Sequence, residues 1–339
     1  MKDLIVPKAL KRGDTIALIS ISGGRAGDGD MLYRYEIGKK RLEDIWGVKV
    51  IITPNALAGS QYLYEHPEAR AQDLMWALEN KEVNGIICMM GGDDSYRVFP
   101  YIDLEIIKKN PKVFMGYSDI ASWMAVFAKA GVRAYYGPNL LTPIAQPVEL
   151  DEYTKNAMQK CLFETDILGE ISPCKECTNI EWRNVSEDEI KWTPNPGYRI
   201  IQGKGVIRGR IFGGCASPLQ QIIGTEFFPT PEFFKDCILM LEIGSPYGST
   251  LAGLHQLRTL DAAGMFRYAA GIVIGQINEE EEKILTKFLK YEAGREDIPV
   301  IANVDFIHRT PMTVIPVGAM TEIDCDNVIL RILESGVVE

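Results

Sequence analysis

The run Val113-Phe114-Met115-Gly116-Tyr117-Ser118-Asp119, which leads without a break into an apolar stretch over residues 120–130, restricts the fold of this chain more than any other feature. A short apolar strand that turns within a few residues into an apolar helix is a βα unit. Such units bury their apolar surface in a sheet covered by helices. The turn also has the form of a nucleophile elbow, in which a serine on a tight strand-to-helix turn presents its hydroxyl to a cleft and small neighbours let other backbone pass close by. The helix N-terminus behind it aims amide N–H groups at any oxyanion formed there. The simpler reading is that Ser118 and Asp119 cap the helix, since both residue types are favoured N-caps.

The flanking sequence repeats this alternation. Residues 15–20, T-I-A-L-I-S, are β-branched and apolar on both faces, as in a central parallel strand, and Ser22-Gly23-Gly24 turns the chain. A helix over 31–46, a strand over 48–52, a helix over 66–80 and strands over 85–90, 113–115 and 134–136 complete an open parallel α/β sheet with right-handed crossovers. The third strand ends in Met90-Gly91-Gly92-Asp93-Asp94-Ser95. Ligands bind beyond the carboxyl ends of such strands, so this turn and Ser118 belong at one sheet edge. Paired glycines there let a backbone N–H approach a substrate oxygen. The alternatives are a plain turn or a helix start at Asp93 or Asp94. A phosphate loop is the weaker functional option, because neither G-x-G-x-x-G nor a P-loop lysine is present.

A chain of 339 residues is long for one core and predicts two domains. Its net charge of −10 argues against a nucleic-acid partner, which calls for a basic face. No stretch approaches eighteen uninterrupted apolar residues and no signal-peptide pattern opens the chain, so the expectation is a cytoplasmic protein with no membrane partner. The seven cysteines lie mostly in apolar runs, as reduced core cysteines do. Cys174 and Cys177 form one C-x-x-C in a polar stretch, with no second pair and no nearby histidine, so neither a metal site nor a cofactor is expected.

Between about residues 164 and 203 the periodicity gives way to a polar, loop-like segment containing Trp182 and Trp192, and the domain boundary is placed here. Residues 1–165 form the first domain, 166–202 a connector and substrate loop, and 203–339 the second domain. The two tryptophans either stack on a planar ligand group or anchor the loop on its own domain. In the second half, residues 205–212 read as a twisted strand, and a helix is expected from Gly213 through 223. The strand 237–241 ends at Glu242, well placed to face a cleft. Strands over 271–274 and 300–301, an acidic helix over 279–291, and two closing strands around Gly318 follow. Of three histidines, His66 precedes Pro67 at a helix start and His255 lies among leucines on a helix. His308 sits in a loop between strands and is the best general-base candidate, given a carboxylate to orient it.

These stretches resemble the LD-carboxypeptidase family of serine peptidases, which includes the microcin C self-immunity peptidases. The resemblance rests on Gly91-Gly92 before Ser95-x-x-x-x-Pro-Tyr-Ile-Asp103, on Gly116-Tyr117-Ser118-Asp119, on Gly213-Gly214 with Gly224-Thr225, on Leu241-Glu242, and on Asp305-Phe306-Ile307-His308-x-x-Pro311 with Pro316-Val317-Gly318-Ala319. It implies an N-terminal Rossmann-like parallel-sheet domain joined to a C-terminal β-rich α/β domain, with a triad assembled between them. Ser118 would be the nucleophile, Glu242 the orienting acid and His308 the base. The oxyanion donors would be the N–H groups of Asp119 and of the Gly92-Asp93 turn. Cys215 and Ile307 depart from the family, which usually has Asn and Gly there.

The Gly91 to Ser95 turn and the 182–192 segment look more like the microcin-immunity branch than the muropeptide-trimming branch. The resemblance then implies cleavage of an amide near a carboxyl-terminal or nucleotide-linked acidic residue, with Trp182 or Trp192 stacking on the base. The expected partners are a small peptide or peptidyl-nucleotide substrate and a second copy of the chain in a homodimer. The alternatives are a muropeptide LD-carboxypeptidase and a non-catalytic small-molecule-binding protein on the same scaffold.

Overall fold

A computed structural model describes residues 1–178, 190–243 and 250–339. The first half alternates strand and helix: β1 (Thr15–Ile19), α1 (Leu32–Trp46), β2 (Lys49–Ile52), α2 (Ser60–Glu65), α3 (Pro67–Glu79), β3 (Val83–Cys88), α4 (Leu104–Lys109), β4 (Val113–Gly116), α5 (Ala121–Ala130), β5 (Tyr135–Tyr136) and α6 (Glu152–Leu162). The strands β2-β1-β3-β4-β5 pair in that order and in parallel. Helices cover both faces, which is why the strand sequences are apolar without alternation. The expected helix over 66–80 begins at Pro67, whose fixed φ and missing N–H suit the first turn, and His66 is its N-cap residue.

The polar segment is not all loop. It contains β6 (Ile167–Glu170), β7 (Glu176–Cys177), β8 (Thr193–Pro194) and β9 (Arg199–Gln202). The second half then supplies β10 (Val206–Cys215), α7 (Ala216–Gln221), β11 (Cys237–Glu242), α8 (Thr250–Ala262), β12 (Gly271–Ile274), α9 (Glu279–Tyr291), β13 (Val300–Ala302), β14 (Ile315–Pro316), β15 (Met320–Asp324) and β16 (Ile329–Ser335). The second sheet has the order β6-β16-β15-β10-β11-β12-β13-β9. Its central strands β10 to β13 are parallel, its flanks antiparallel, and β6 and β9 from the polar segment form its two edges. Gly213 and Gly214 end β10 rather than start a helix, and α7 begins one residue after Cys215.

Two features lock the halves together. Helix α5 is buried along nearly its whole length, because it packs between its own sheet and the second half, against β10 and α7. The two strands predicted around Gly318 go to different sheets: β15 joins the second, whereas β14 crosses over and pairs antiparallel with β5 of the first. Among the described residues, no helix is long and apolar enough to cross a membrane.

Candidate active site

Strand β4 is wholly buried and delivers the chain to Tyr117, which is extended, and to Ser118, which has a φ of 66°. A non-glycine residue in the left-handed region costs roughly 1–2 kcal/mol and persists only where its surroundings over-determine it. Here they do. The Tyr117 N–H donates to Asn139 Oδ1 (3.2 Å), the Ser118 N–H donates to the phenol oxygen of Tyr136 (3.3 Å), and the Asp119 carboxylate accepts from the Ser22 hydroxyl (2.5 Å) and the Ser95 N–H (2.9 Å). Burial pushes the Asp119 carboxyl pKa up, against these hydrogen bonds. Neither Ser118 nor Asp119 caps α5 through its side chain, so the helix-cap reading does not describe this turn.

Across the cleft, Glu242 ends β11, in register beside Cys215 of β10, and His308 stands in the loop between β13 and β14. One oxygen of the buried Glu242 accepts both the backbone N–H of His308 (3.0 Å) and its ring Nδ1 (2.7 Å). A carboxylate facing Nδ1 keeps the proton on that nitrogen, which leaves Nε2 as an acceptor. His308 Nε2 lies 2.8 Å from Ser118 Oγ. Burial works to lower the His308 pKa, but the charge and hydrogen bond of Glu242 outweigh it and carry the pKa above the ordinary histidine value. Ile307 lies outside the left-handed region and sits against Gly275, where a Cβ would fall 1.9 Å from Ile307 Cγ2. A glycine there makes the room that the isoleucine occupies. Cys215 is a buried free thiol whose pKa is raised by desolvation and by the nearby Glu242 charge.

The Gly91-Gly92 turn lies directly over the serine. A Cβ at Gly91 would be 2.7 Å from Ser118 Cβ, 3.0 Å from its Oγ and 3.4 Å from the Asp119 nitrogen. The Gly91 carbonyl accepts the Gly23 N–H (3.0 Å), and in a trans peptide this sends the Gly92 N–H the opposite way. Among the described residues, the N–H groups of Gly92 and Asp93 donate no hydrogen bond. The backbone therefore approaches the serine more closely than any side chain would allow, with donors still to be satisfied.

Trp182 lies outside the described residues. Trp192 is 41% exposed, immediately before β8. The strap formed by β7 and β8 is fastened to the His308 loop: Thr178 and Thr310 exchange backbone hydrogen bonds (2.8 and 3.0 Å), and Asp305 accepts from the Cys174 N–H (2.8 Å) and the Asn195 amide (2.9 Å). Burial pushes the Asp305 carboxyl up to about 6 despite these bonds. Sequence reasoning assigned no role to Tyr136, Asp305 or Asn195. Asp305 stood within a quoted motif, but Tyr136 gave no signal beyond a hydroxyl in an apolar strand. Cys174 and Cys177 are buried and unbridged, burial pushes the Cys174 thiol up to about 12, and the described residues contain no cluster of three metal-ligating side chains.

The mixed α/β fold and its comparison with known families make the chain a serine carboxypeptidase-like hydrolase. The chain belongs to the LD-carboxypeptidase family, since residues 16–137 match the model of its N-terminal domain and residues 208–323 that of its C-terminal domain. It is 29% identical to the microcin C7 self-immunity protein MccF of Escherichia coli over 282 residues, 78% of each chain. The structure of MccF in complex with aspartyl sulfamoyl adenosine superposes with a TM-score of 0.86 at 25% identity, covering 98% of this chain and 99% of that one. An MccF-like protein from Streptococcus pneumoniae in complex with AMP gives 0.86 at 25% identity, covering 94% and 98%.

Proposed function

We propose that the chain is a serine peptidase with a Ser118-Glu242-His308 triad, acting on an amide next to an acidic residue that is carboxyl-terminal or nucleotide-linked, as in a microcin C-type immunity peptidase. The observation that carries this reading is His308, within 2.8 Å of the strained Ser118 Oγ on one side and 2.7 Å of Glu242 on the other. His308 Nε2 takes the hydroxyl proton as Ser118 Oγ attacks the amide carbonyl carbon. The developing oxyanion is met by the N–H groups of Asp119 and of the Gly92-Asp93 turn. The imidazolium, held by Glu242, then gives its proton to the departing nitrogen, and the C–N bond breaks. Water, deprotonated by the same histidine, hydrolyses the acyl-enzyme and restores Ser118. In this reading the enzyme works in the cytoplasm as a homodimer.

Two similar proteins were captured with adenosine-bearing ligands, AMP and aspartyl sulfamoyl adenosine, and the exposed Trp192 on the strap offers a face on which a base could stack for roughly 1–3 kcal/mol. Trp182, outside the described residues, is the other tryptophan that the sequence offers for this role. The family's LD-carboxypeptidase character supports the runner-up, trimming of a muropeptide at its D-amino-acid end. A binding protein without catalysis is the least favoured reading, because Ile307 leaves the His308 contacts intact. The test is a side-by-side assay of an aminoacyl-sulfamoyl adenylate and an L,D-tetrapeptide with wild type, Ser118→Ala, Trp182→Ala and Trp192→Ala. Ser118→Ala should fold and lose several powers of ten in rate. The adenylate should be cleaved faster than the tetrapeptide, with at least one tryptophan variant raising its KM. Undiminished turnover by Ser118→Ala refutes the triad, and cleavage of the tetrapeptide alone moves the enzyme to the muropeptide branch.

A further inference from the structure

Tyr136 is fully buried in β5, one strand away from the β4 that carries the elbow, and its phenol oxygen accepts the Ser118 N–H at 3.3 Å. The ring is held from several sides. It meets Tyr117 edge-on at 6.5 Å and Phe306, two residues before His308, at 6.2 Å. It also lies against Gly214, where a Cβ would come within 2.7 Å of Tyr136 Cε2. Gly214 has a φ of 144°, so both its conformation and its missing side chain serve the approach of this ring. The strand bearing Tyr136 is the one that β14 joins from the second half, placing the ring where the two sheets meet. Burial first, and then the charge of Glu242, raise the phenol's pKa, so the hydroxyl keeps its proton.

β4 ends at Gly116, so the part-buried Ser118 N–H lies beyond its ladder and needs an acceptor from elsewhere, which the phenol supplies. We propose that Tyr136 is a positioning residue: its phenol oxygen anchors the Ser118 N–H, fixes the left-handed backbone of the serine, and thereby holds Oγ in line with His308. The inference rests on the triad reading. It differs from a packing role in what it predicts, because loss of a hydroxyl from a ring of unchanged shape should spare substrate binding and slow only the attack by Ser118.

The experiment compares wild type, His308→Ala and Tyr136→Phe by the rate of labelling with a serine-reactive phosphonate, by kcat and KM, and by thermal melting. Tyr136→Phe is expected to lower the labelling rate and kcat together by about tenfold, the effect of one hydrogen bond, with KM changed less than twofold. Labelling of Tyr136→Phe at the wild-type rate overturns the inference while leaving the triad standing. Failure of the wild type to label at Ser118, or undiminished labelling of His308→Ala, overturns the triad reading itself. Should Tyr136→Phe not fold, amide exchange in the wild type decides: a Ser118 N–H as protected as the core of β4 upholds the anchor, and exchange at the rate of an open loop refutes it.

Discussion

Gly91→Ala should inactivate the enzyme while leaving it folded, and the reason is geometric. Gly91 does not occupy the left-handed region, so alanine pays no backbone penalty there. The added methyl group would lie 2.7 Å from Ser118 Cβ and 3.0 Å from its Oγ. Carbon atoms in contact sit at about 3.5–4.0 Å, so something must move by roughly 1 Å. Overpacking of this size costs about 1–3 kcal/mol of stability, which a chain of this length can lose and remain folded. Displacement of reacting atoms by about 1 Å, however, costs on the order of a hundredfold in rate, and in the proposed mechanism the methyl group also intrudes on the oxyanion position between Asp119 and Gly92. The assay is kcat/KM alongside the thermal midpoint, with Gly29→Ala as control, since a Cβ at Gly29 meets nothing within 4 Å. The expected result is a loss of about a hundredfold or more at position 91 and none at 29. Wild-type activity in folded Gly91→Ala would refute the close approach of this turn to the reacting serine.

Two further predictions follow from the histidine and its loop. Because Glu242 lifts the His308 pKa and the proposed role of His308 as general base needs the neutral ring, kcat/KM should fall as pH drops through a limb above about 6.5, and Glu242→Gln should move that limb to lower pH because burial then acts alone. The stability contributed by this raised pKa is full below the unfolded histidine pKa and is lost as pH rises through the folded one, so the gap in melting temperature between wild type and His308→Ala should narrow toward alkaline pH. Gly275→Ala should push Ile307 and with it His308, lowering kcat by about tenfold or more, and adding Ile307→Ala should recover most of the loss; simple additivity of the two changes would show that they do not share that space.

The first sheet was legible because its central strands are buried on both faces over most of their length and read as apolar runs, such as residues 16–19 and 113–115, between glycine or polar turns. The second was less so. Its edges β6 and β9 come from a segment that looks like a linker, since a strand with one partner and a half-exposed face needs little apolar sequence: Ile167 is exposed, and all four residues of β9 are half-buried. β16 alternates in the manner of an antiparallel strand but was not read as one. Nothing in the periodicity around Gly318 distinguishes a strand that stays in its sheet from one that crosses to the other, because a two-residue strand such as β14 is defined by its partner. Candidate site residues were legible individually, as polar groups at the ends of apolar strands. Their contacts were not, since Ser118 and His308 are 190 positions apart and Glu242 and His308 are 66.

The division of the site between the two sheets explains which residues evaded the sequence. Ser118, the Gly91-Gly92 turn and Asp119 hang from the edge of the first sheet, whereas Glu242 and His308 hang from the second, so the 2.8 Å contact from Nε2 to Oγ is only as accurate as the packing between the halves. That packing is fixed by groups that look unremarkable in a linear reading. Two consecutive glycines at the end of β10 admit Met240 backbone and the Tyr136 ring. A two-residue strand, β14, stitches the His308 loop to β5. A carboxylate, Asp305, gathers Cys174 and Asn195 of the strap onto the same loop. Each acts through backbone or through a residue far away in sequence. His308 is where these constraints meet, because its ring is tethered at both nitrogens and cannot follow one partner without leaving the other.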